Sequence, residues 1–575
     1  EVTSMKIWLD EGEGFTEKAS VTSGTSVSYN YIPAQTLVLG IKVTATINSE
    51  DLEMEKTQNV VVLQETVVAD LPSGLRKGIN YPDDNDTTVS LILEAPGKEY
   101  VFVVGDFTEW NVLDEYQMNV TPDGEMFWIE ISGLVPMQEY VFQYWMDDNV
   151  KVGDPYAEKV ADPWNDQYIP EEVYPNLPEY DRTEYQTATV LQTGQEEFQW
   201  AASEDTWQAP DVEHLIIYEL HVRDFLKSHY YQDLIDTLPY LKELGIDAIE
   251  LMPVSEFEGN ESWGYNPSYY FAPDKYYGTK NDLKEFIQAA HQHGLAVILD
   301  MVLNHAYGQN ALVKMYFNES ANKPAPDNPW FNEEYVGPYQ WGYDFNHESE
   351  YTRAFVDSVN RYWLEEYHFD GFRFDFTKGF TNYAPGGSID GYDESRIAIL
   401  NRMADKIWEV DPEAYVILEH WGPAQEEAEL AESGMVMWRN RSYDHVPATV
   451  GNITGNFNGM DDLTHVSYFN SHDEQRLGYH LITEGRSNEA YDIKNPLITF
   501  ERQKLAAAFT FLYPGPKMMW QFDELGYDID INFNGRTGQK PQPWGADGLG
   551  YYGDPLRQYI YDVYKGVLDV RKQVG

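Results

Sequence analysis

The sequence predicts a (β/α)₈ barrel preceded by one or two β-sandwich modules, an α/β architecture that rests on three observations. From about residue 206 onward, short apolar runs alternate with segments of helical period, the pattern of βαβ units on a parallel sheet. About eight such runs fall within some 360 residues, which suits a closed barrel better than an open sheet. Before about residue 205 the apolar residues recur with period two instead, in stretches broken by Gly, Pro, Asn and Asp.

Taken in order, Ser26–Tyr31, Leu37–Ile47 and Val60–Val67 read as strands of a first module, residues 1–75, an immunoglobulin-like spacer. Pro72 to Pro82, with Gly74, Gly78 and the acidic run from Asp83 to Asp86, reads as a linker or long turn. Thr88–Glu94, Tyr100–Val104, Phe127–Ile131 and Tyr140–Trp145 then mark a second sandwich and its linker, residues 76–205. In the barrel, residues 206–575, the predicted strands are Leu215–Leu220, Asp247–Met252, Leu295–Val302, Gly371–Asp375, Tyr415–Glu419, a weakly marked one between 433 and 447, Val466–Phe469 and Lys517–Phe522. Between them lie amphipathic periods such as Leu283, Phe286, Ile287 and Ala290, spaced i, i+3, i+4, i+7. The stretch from about 306 to 349 is too long for an ordinary βα loop and reads as an inserted functional excursion.

Composition narrows the function classes. With 39 Lys and Arg against 96 Asp and Glu, the formal charge of −57 would repel a phosphate backbone, so a nucleic-acid partner is excluded. A neutral polymer is compatible, and the 43 Tyr and 16 Trp offer rings with a polar edge. There is no cysteine, hence no disulfide or thiolate metal site, and no apolar run long enough for a transmembrane helix. The first residue is Glu1, not Met, from which a removed leader and a secreted, periplasmic or cell-surface monomer are expected.

In a parallel barrel, side chains at the carboxyl ends of strands converge on one mouth. Asp300, Asn304, His305, Arg373, Asp375, Glu419, His472 and Asp473 all fall at such ends. Taken singly, a strand-end carboxylate is ordinarily a turn or cap residue, and a lone His or Arg a packing or salt-bridge residue. Their joint occurrence at four strand ends outweighs that reading. Crowded carboxylates suit glycosidic cleavage: one attacks the anomeric carbon while a protonated one delivers a proton to the leaving oxygen. Arg373, two residues before Asp375, shares its strand face and can hold it ionised.

The segments Asp300-Met-Val-Leu-Asn304-His305, Gly371-Phe-Arg373-Phe-Asp375, Glu419 after an apolar strand, and Asn-Ser-His472-Asp473 resemble the four signature regions of the α-amylase superfamily, glycoside hydrolase family 13. The resemblance covers residues 210 to 575 and implies Asp375 as nucleophile, Glu419 as general acid/base and Asp473 as the third carboxylate. It implies sugar contacts from His305, Arg373 and His472, from Tyr265 and Trp263 in Trp263-Gly-Tyr265-Asn-Pro, and from Lys378. Asp300 would orient this shell, Glu524 would be structural and Asn304 would be a calcium ligand; the Lys378 contact departs from the family pattern, because Gly379 stands where His commonly follows. Upstream, Gly105-Asp-Phe-Thr-Glu-Trp110 and Ala161-Asp-Pro-Trp164 are similar to segments of family 48 carbohydrate-binding modules. The activity implied is retaining hydrolysis of α-1,4 bonds in starch, glycogen or maltooligosaccharides, with no cofactor required and calcium at Asn304 an optional one. The alternatives are α-1,6 debranching or glucan branching on the same centre, and a non-catalytic glycan-binding protein.

Overall fold

The structure, a computed structural model, describes residues 2–82 and 85–574. The expectations attached to Glu1 and to Asp83 and Asp84 lie outside the described residues. The chain divides into two units: one runs up to Pro163 and takes in Tyr180–Glu196, the other comprises Trp164–Glu179 and Glu197–Gly575.

In the first unit, Val2–Asp10, Thr16–Val21, Leu37–Ile47 and Glu50–Val60 form one four-stranded antiparallel sheet, with Thr16–Val21 and Glu50–Val60 at its edges. Register places Ile7 beside Val43 and Val43 beside Met54, with Met5, Ala45 and Leu52 in line, so one face is apolar. Among the described residues this stretch makes a single sheet, where a sandwich was expected for 1–75. Period-two alternation reports that one face is apolar without reporting what lies across from it. Ser26–Tyr31 forms no strand, and the strand expected to run from Val60 ends there.

Two further antiparallel sheets follow, one of Gly78–Asn80, Thr88–Glu94, Met126–Ser132 and Asn119–Val120, the other built on Glu139–Met146 and Ala188–Gln192. Leu91, Leu93, Phe102, Phe127, Phe142 and Tyr144 are buried in them. Gly78–Asn80 was expected in the linker and is an edge strand instead. Trp110 is 6% exposed, its indole N–H donates to Asp106, and its ring lies against Tyr180 and Tyr185. It is a packing residue.

The second unit carries the closed parallel barrel, formed by Ile216–Leu220, Ala248–Leu251, Ala296–Met301, Gly371–Phe374, Tyr415–Leu418, Val436–Asn440, His465–Tyr468 and Lys517–Trp520. Ile217, Ala248, Ile298, Ile417, Trp438, Val466 and Met518 fill its interior. Gly371 could be nothing else: its φ is +147°, and a Cβ would meet the Tyr415 carbonyl oxygen at 2.3 Å. Helices such as Glu350–Tyr367 and Glu394–Val410 bury one stripe against the strands and are capped by Ser349 and Asp393. The 306–349 excursion is ordered by a short helix, Ala311–Met315, and by the pairing of His305–Ala306 with Tyr343–Asp344. Among the described residues no helix is long and apolar enough to cross a membrane.

Candidate active site

Strand register sets the first contact of the site. Asp300 on the third barrel strand lies directly beside Arg373 on the fourth. The Arg373 guanidinium is buried, with Nη1 2.8 Å from Asp300 and 3.3 Å from Asp375, and Nη2 3.0 Å from Glu419. Its flat face lies 4.2 Å from the centre of the Trp438 ring. One cation thus ties together three carboxylates from three successive strands.

These carboxylates do not ionise alike. Burial pushes Glu419 up to about 8, and the facing charges of Asp375 and Asp473 add to this against the pull of Arg373. Burial raises Asp375 less, to about 6, because Arg373 and a hydrogen bond with Glu419 favour its anion. The pair titrates together: near neutrality one proton sits between them, preferentially on Glu419. The backbone braces this arrangement. Phe376, next to Asp375, adopts φ +44°, a strained conformation for an aromatic residue, and thereby aims its N–H at Glu419 Oε2, 2.9 Å away. The Thr377 N–H donates to the Glu419 carbonyl at 2.9 Å.

Asp473 follows the seventh strand. Burial would raise it, but the His472 charge and a hydrogen bond from Arg536 hold its carboxyl below the usual range. His472 itself stays protonated: burial opposes its charge, yet Glu219, 2.6 Å from Nδ1, lifts it to about 10. Tyr265 donates to Asp300 at 2.5 Å and stacks on His472 at 4.9 Å, and Trp263 meets the same imidazole edge-on at 5.3 Å. His305 Nε2 lies 3.0 Å from the Tyr265 carbonyl, and burial lowers its pKa to about 4, so it is neutral. Asp375, Glu419, Asp473, Arg373, His472, Tyr265, Trp263 and His305 are therefore one cluster.

The two other sequence-derived residues border it, the Asn304 side-chain amide lying 3.4 Å from His305 Nδ1. Lys378 is 7% exposed and paired with Asp390 at 2.8 Å, with its ammonium 5.7 Å over the Tyr339 ring. Asn304 is buried, with Oδ1 unpartnered, and a Cβ on Gly379 would meet that oxygen at 1.9 Å. An orphaned amide oxygen is the kind of donor calcium takes, but calcium needs six to eight oxygens. Among the described residues no group of three or more Asp, Glu, His or Cys could hold a metal. This donor set alone does not fit calcium. Glu524 accepts from Tyr218 and Tyr240, inside the barrel wall.

Sequence reading missed Glu219, Glu250, Trp438 and Arg536 as parts of the site. Glu250 is buried beside Glu219 with neither oxygen partnered, and burial and that neighbour raise its pKa well above the usual range. Glu219 and Glu250 are register neighbours on the first two strands, legible as paired strand-end acids. Arg536 comes from a loop that no periodicity marks. The excursion adds Tyr339 and Trp341, stacked at 5.3 Å and about two-fifths exposed, with Trp341 4.9 Å from Phe376 and 6.4 Å from His305.

With this geometry in place, comparison with known proteins is informative. A family profile for the catalytic domain of alpha-amylase matches residues 230–346. The malto-oligosyltrehalose trehalohydrolase of Saccharolobus solfataricus is 34% identical over 248 residues, 41% of this chain and 39% of that protein. The 1,4-alpha-glucan branching enzyme GlgB of Photobacterium profundum is 28% identical over 354 residues, 58% of this chain and 45% of that protein. The chain spans less than half the length of these curated relatives. Among solved structures, pullulanase type I from Bacillus subtilis superposes with a TM-score of 0.63 at 19% identity, covering 98% of this chain and 82% of that one, a likeness of fold.

Arg373→Met tests the electrostatic account. It leaves three buried carboxylates facing one another, so stability should fall by about 3–5 kcal/mol. Their folded-state pKa values would rise further above the unfolded ones, so the deficit is full at high pH and shrinks as they protonate. Urea unfolding should therefore show a larger loss at about pH 8 than at about pH 5.

Proposed function

We propose that this chain belongs to the alpha-amylase superfamily and is a retaining α-glucan hydrolase that cleaves α-1,4 bonds of starch, glycogen or maltooligosaccharides. One observation carries the reading: Asp375 and Glu419, at the ends of adjacent strands, are held by the two terminal nitrogens of one guanidinium, at 3.3 and 3.0 Å. Two carboxyls sharing one guanidinium suit a covalent double displacement, in which they lie about 5–5.5 Å apart.

In the first step Asp375 attacks the anomeric carbon while Glu419 gives its proton to the departing glycosidic oxygen. A glucosyl ester forms and the leaving chain departs with a free hydroxyl. In the second, Glu419, now a carboxylate, takes a proton from water as the water oxygen attacks the same carbon and Asp375 is released. Asp473 and the protonated His472 grip the sugar's hydroxyls, Tyr265 lies against its ring, and neutral His305 and Trp263 complete the wall. Arg373 stabilises the nucleophile's anion. Tyr339 and Trp341 offer stacking surfaces for further sugar units. No step is routed through a metal. Export, part of the same proposal, suits a polymeric substrate met outside the cell.

Similarity to a branching enzyme and to a pullulanase fold supports a second reading, α-1,6 cleavage or branching on the same carboxylates. Products from pullulan separate them: maltotriose marks α-1,6 cleavage, panose marks α-1,4 cleavage, and loss of iodine colour from amylose without new reducing ends marks branching.

Asp375→Asn and Glu419→Gln should each lower reducing-sugar release from soluble starch by at least about a thousandfold while leaving the fold intact; wild-type rates in either variant would remove the assignment. The pH profile should be bell-shaped. Activity falls below about 6 as Asp375 gains a proton, and above about 8 as Glu419 loses the one it must donate. An acid limb alone, with full activity retained above pH 8, would contradict the role given to Glu419.

A further inference from the structure

Beyond the eighth strand, the loop from Asp528 to Gly550 returns to the cleft and carries Arg536, whose guanidinium lies 5.8 Å over Trp263. Arg536 Nη2 donates to the Asp473 carbonyl at 2.6 Å and to its Oδ1 at 3.1 Å. What shapes this loop is a lysine. Lys540 is 8% exposed, and its ammonium donates to four backbone carbonyls, those of Phe533 at 3.0 Å, Gly535 at 2.7 Å, Arg536 at 3.0 Å and Gly538 at 2.6 Å. A ring of carbonyl dipoles converging on one buried cation is how proteins hold a metal ion, and here the cation is part of the chain. The flanks of the loop are tied to the barrel by Ile531 N–H to Gln475 Oε1 at 3.0 Å and the Trp544 indole N–H to the Phe225 carbonyl at 2.6 Å, whereas backbone bonds such as Phe533 N–H to the Asp530 carbonyl at 2.8 Å close its tip locally. The lysine is itself anchored: its backbone N–H donates to Asp224 Oδ1 at 3.2 Å, and Asp224 is clamped by Arg223 and His221 on the turn after the first strand.

We propose that Lys540 is an internal cation that moulds the 533–538 loop and so aims Arg536 at Asp473, making Lys540 and Arg536 positioning residues for the third carboxylate. The inference rests on the reading of Asp473 as part of the sugar site. The carbonyl ring includes that of Arg536 itself, so the position of the guanidinium follows from the ammonium. Without it, four inward-pointing carbonyls would lose their common donor and turn to water. Arg536 would then leave Asp473, which would face Glu419 with His472 and Arg373 alone to balance it. An effect on a group that grips the distorted sugar appears in kcat more than in KM.

The test compares Lys540→Met, Arg536→Met and the double variant, using hydrogen exchange of the loop and kinetics on maltoheptaose. Lys540→Met should lose amide protection in 533–538 and lower kcat on the order of tenfold, with KM changed by less than about threefold. Arg536→Met, a change at a half-exposed side chain, should lower kcat by a similar factor with the loop still protected. The double variant should be no worse than either single one, because the two residues act in series. Unchanged protection in Lys540→Met would overturn the internal-cation role. A multiplicative loss in the double variant, or a normal kcat in Arg536→Met, would overturn the positioning role. If the wild type turns over no α-glucan, the proposed function fails instead, while the exchange experiment still decides whether Lys540 moulds the loop.

Discussion

The buried guanidinium of Arg373 is the constraint on which this site depends. Carboxylates this close in a barrel mouth would otherwise all take up protons or push apart. Their convergence is tolerable because one planar cation reaches Asp300, Asp375 and Glu419 at once, while its face rests on Trp438. The asymmetry of its contacts also sorts the two reactive groups. Asp375 and Glu419 both touch it, yet the more deeply desolvated Glu419 keeps the proton. The difference in protonation between the two carboxyls therefore follows from position.

That centre was largely legible in the sequence because the barrel converts strand ends into a shared location. Any reader who finds the strands also finds Asp300, Arg373, Asp375 and Glu419, since each stands at or just beyond the last residue of an apolar run. Legibility failed where position is set by tertiary contact. Trp438 lies on the strand whose Val-Met-Trp-Arg-Asn run marks it poorly, and Arg536 is held by the carbonyl ring around Lys540, which leaves no periodic trace. Lys378, three residues after Asp375, is turned by Thr377–Gly379 toward Asp390 and the Tyr339 ring, partners that its place in the sequence does not disclose. The first module shows a further limit, since alternation in Leu37–Ile47 named the apolar face correctly and could not tell one sheet from two.

Backbone strain gathers at the same strand ends. Phe376 and Trp421, close behind Asp375 and Glu419, both have positive φ, at +44° and +48°. Neither is glycine, so each costs energy that the surrounding packing must hold in check. Around them the bonding is dense: Thr377 donates from both backbone and hydroxyl to the Glu419 carbonyl, and buried His420 contacts Thr377 and Glu426. The two reactive side chains thus project from turns that are bent and braced together, which limits the rotamers open to them before any sugar arrives.

The outer strand of the first sheet, Glu50–Val60, has one edge that no other described strand pairs with. Glu50, Asp51, Glu53 and Glu55 stand along it, all exposed. Two molecules approaching side by side along that margin would bring these acids within about one interstrand spacing, roughly 4.8 Å, of their counterparts. Part of the chain's large negative charge therefore has a local consequence: it opposes cross-molecular zippering along this margin.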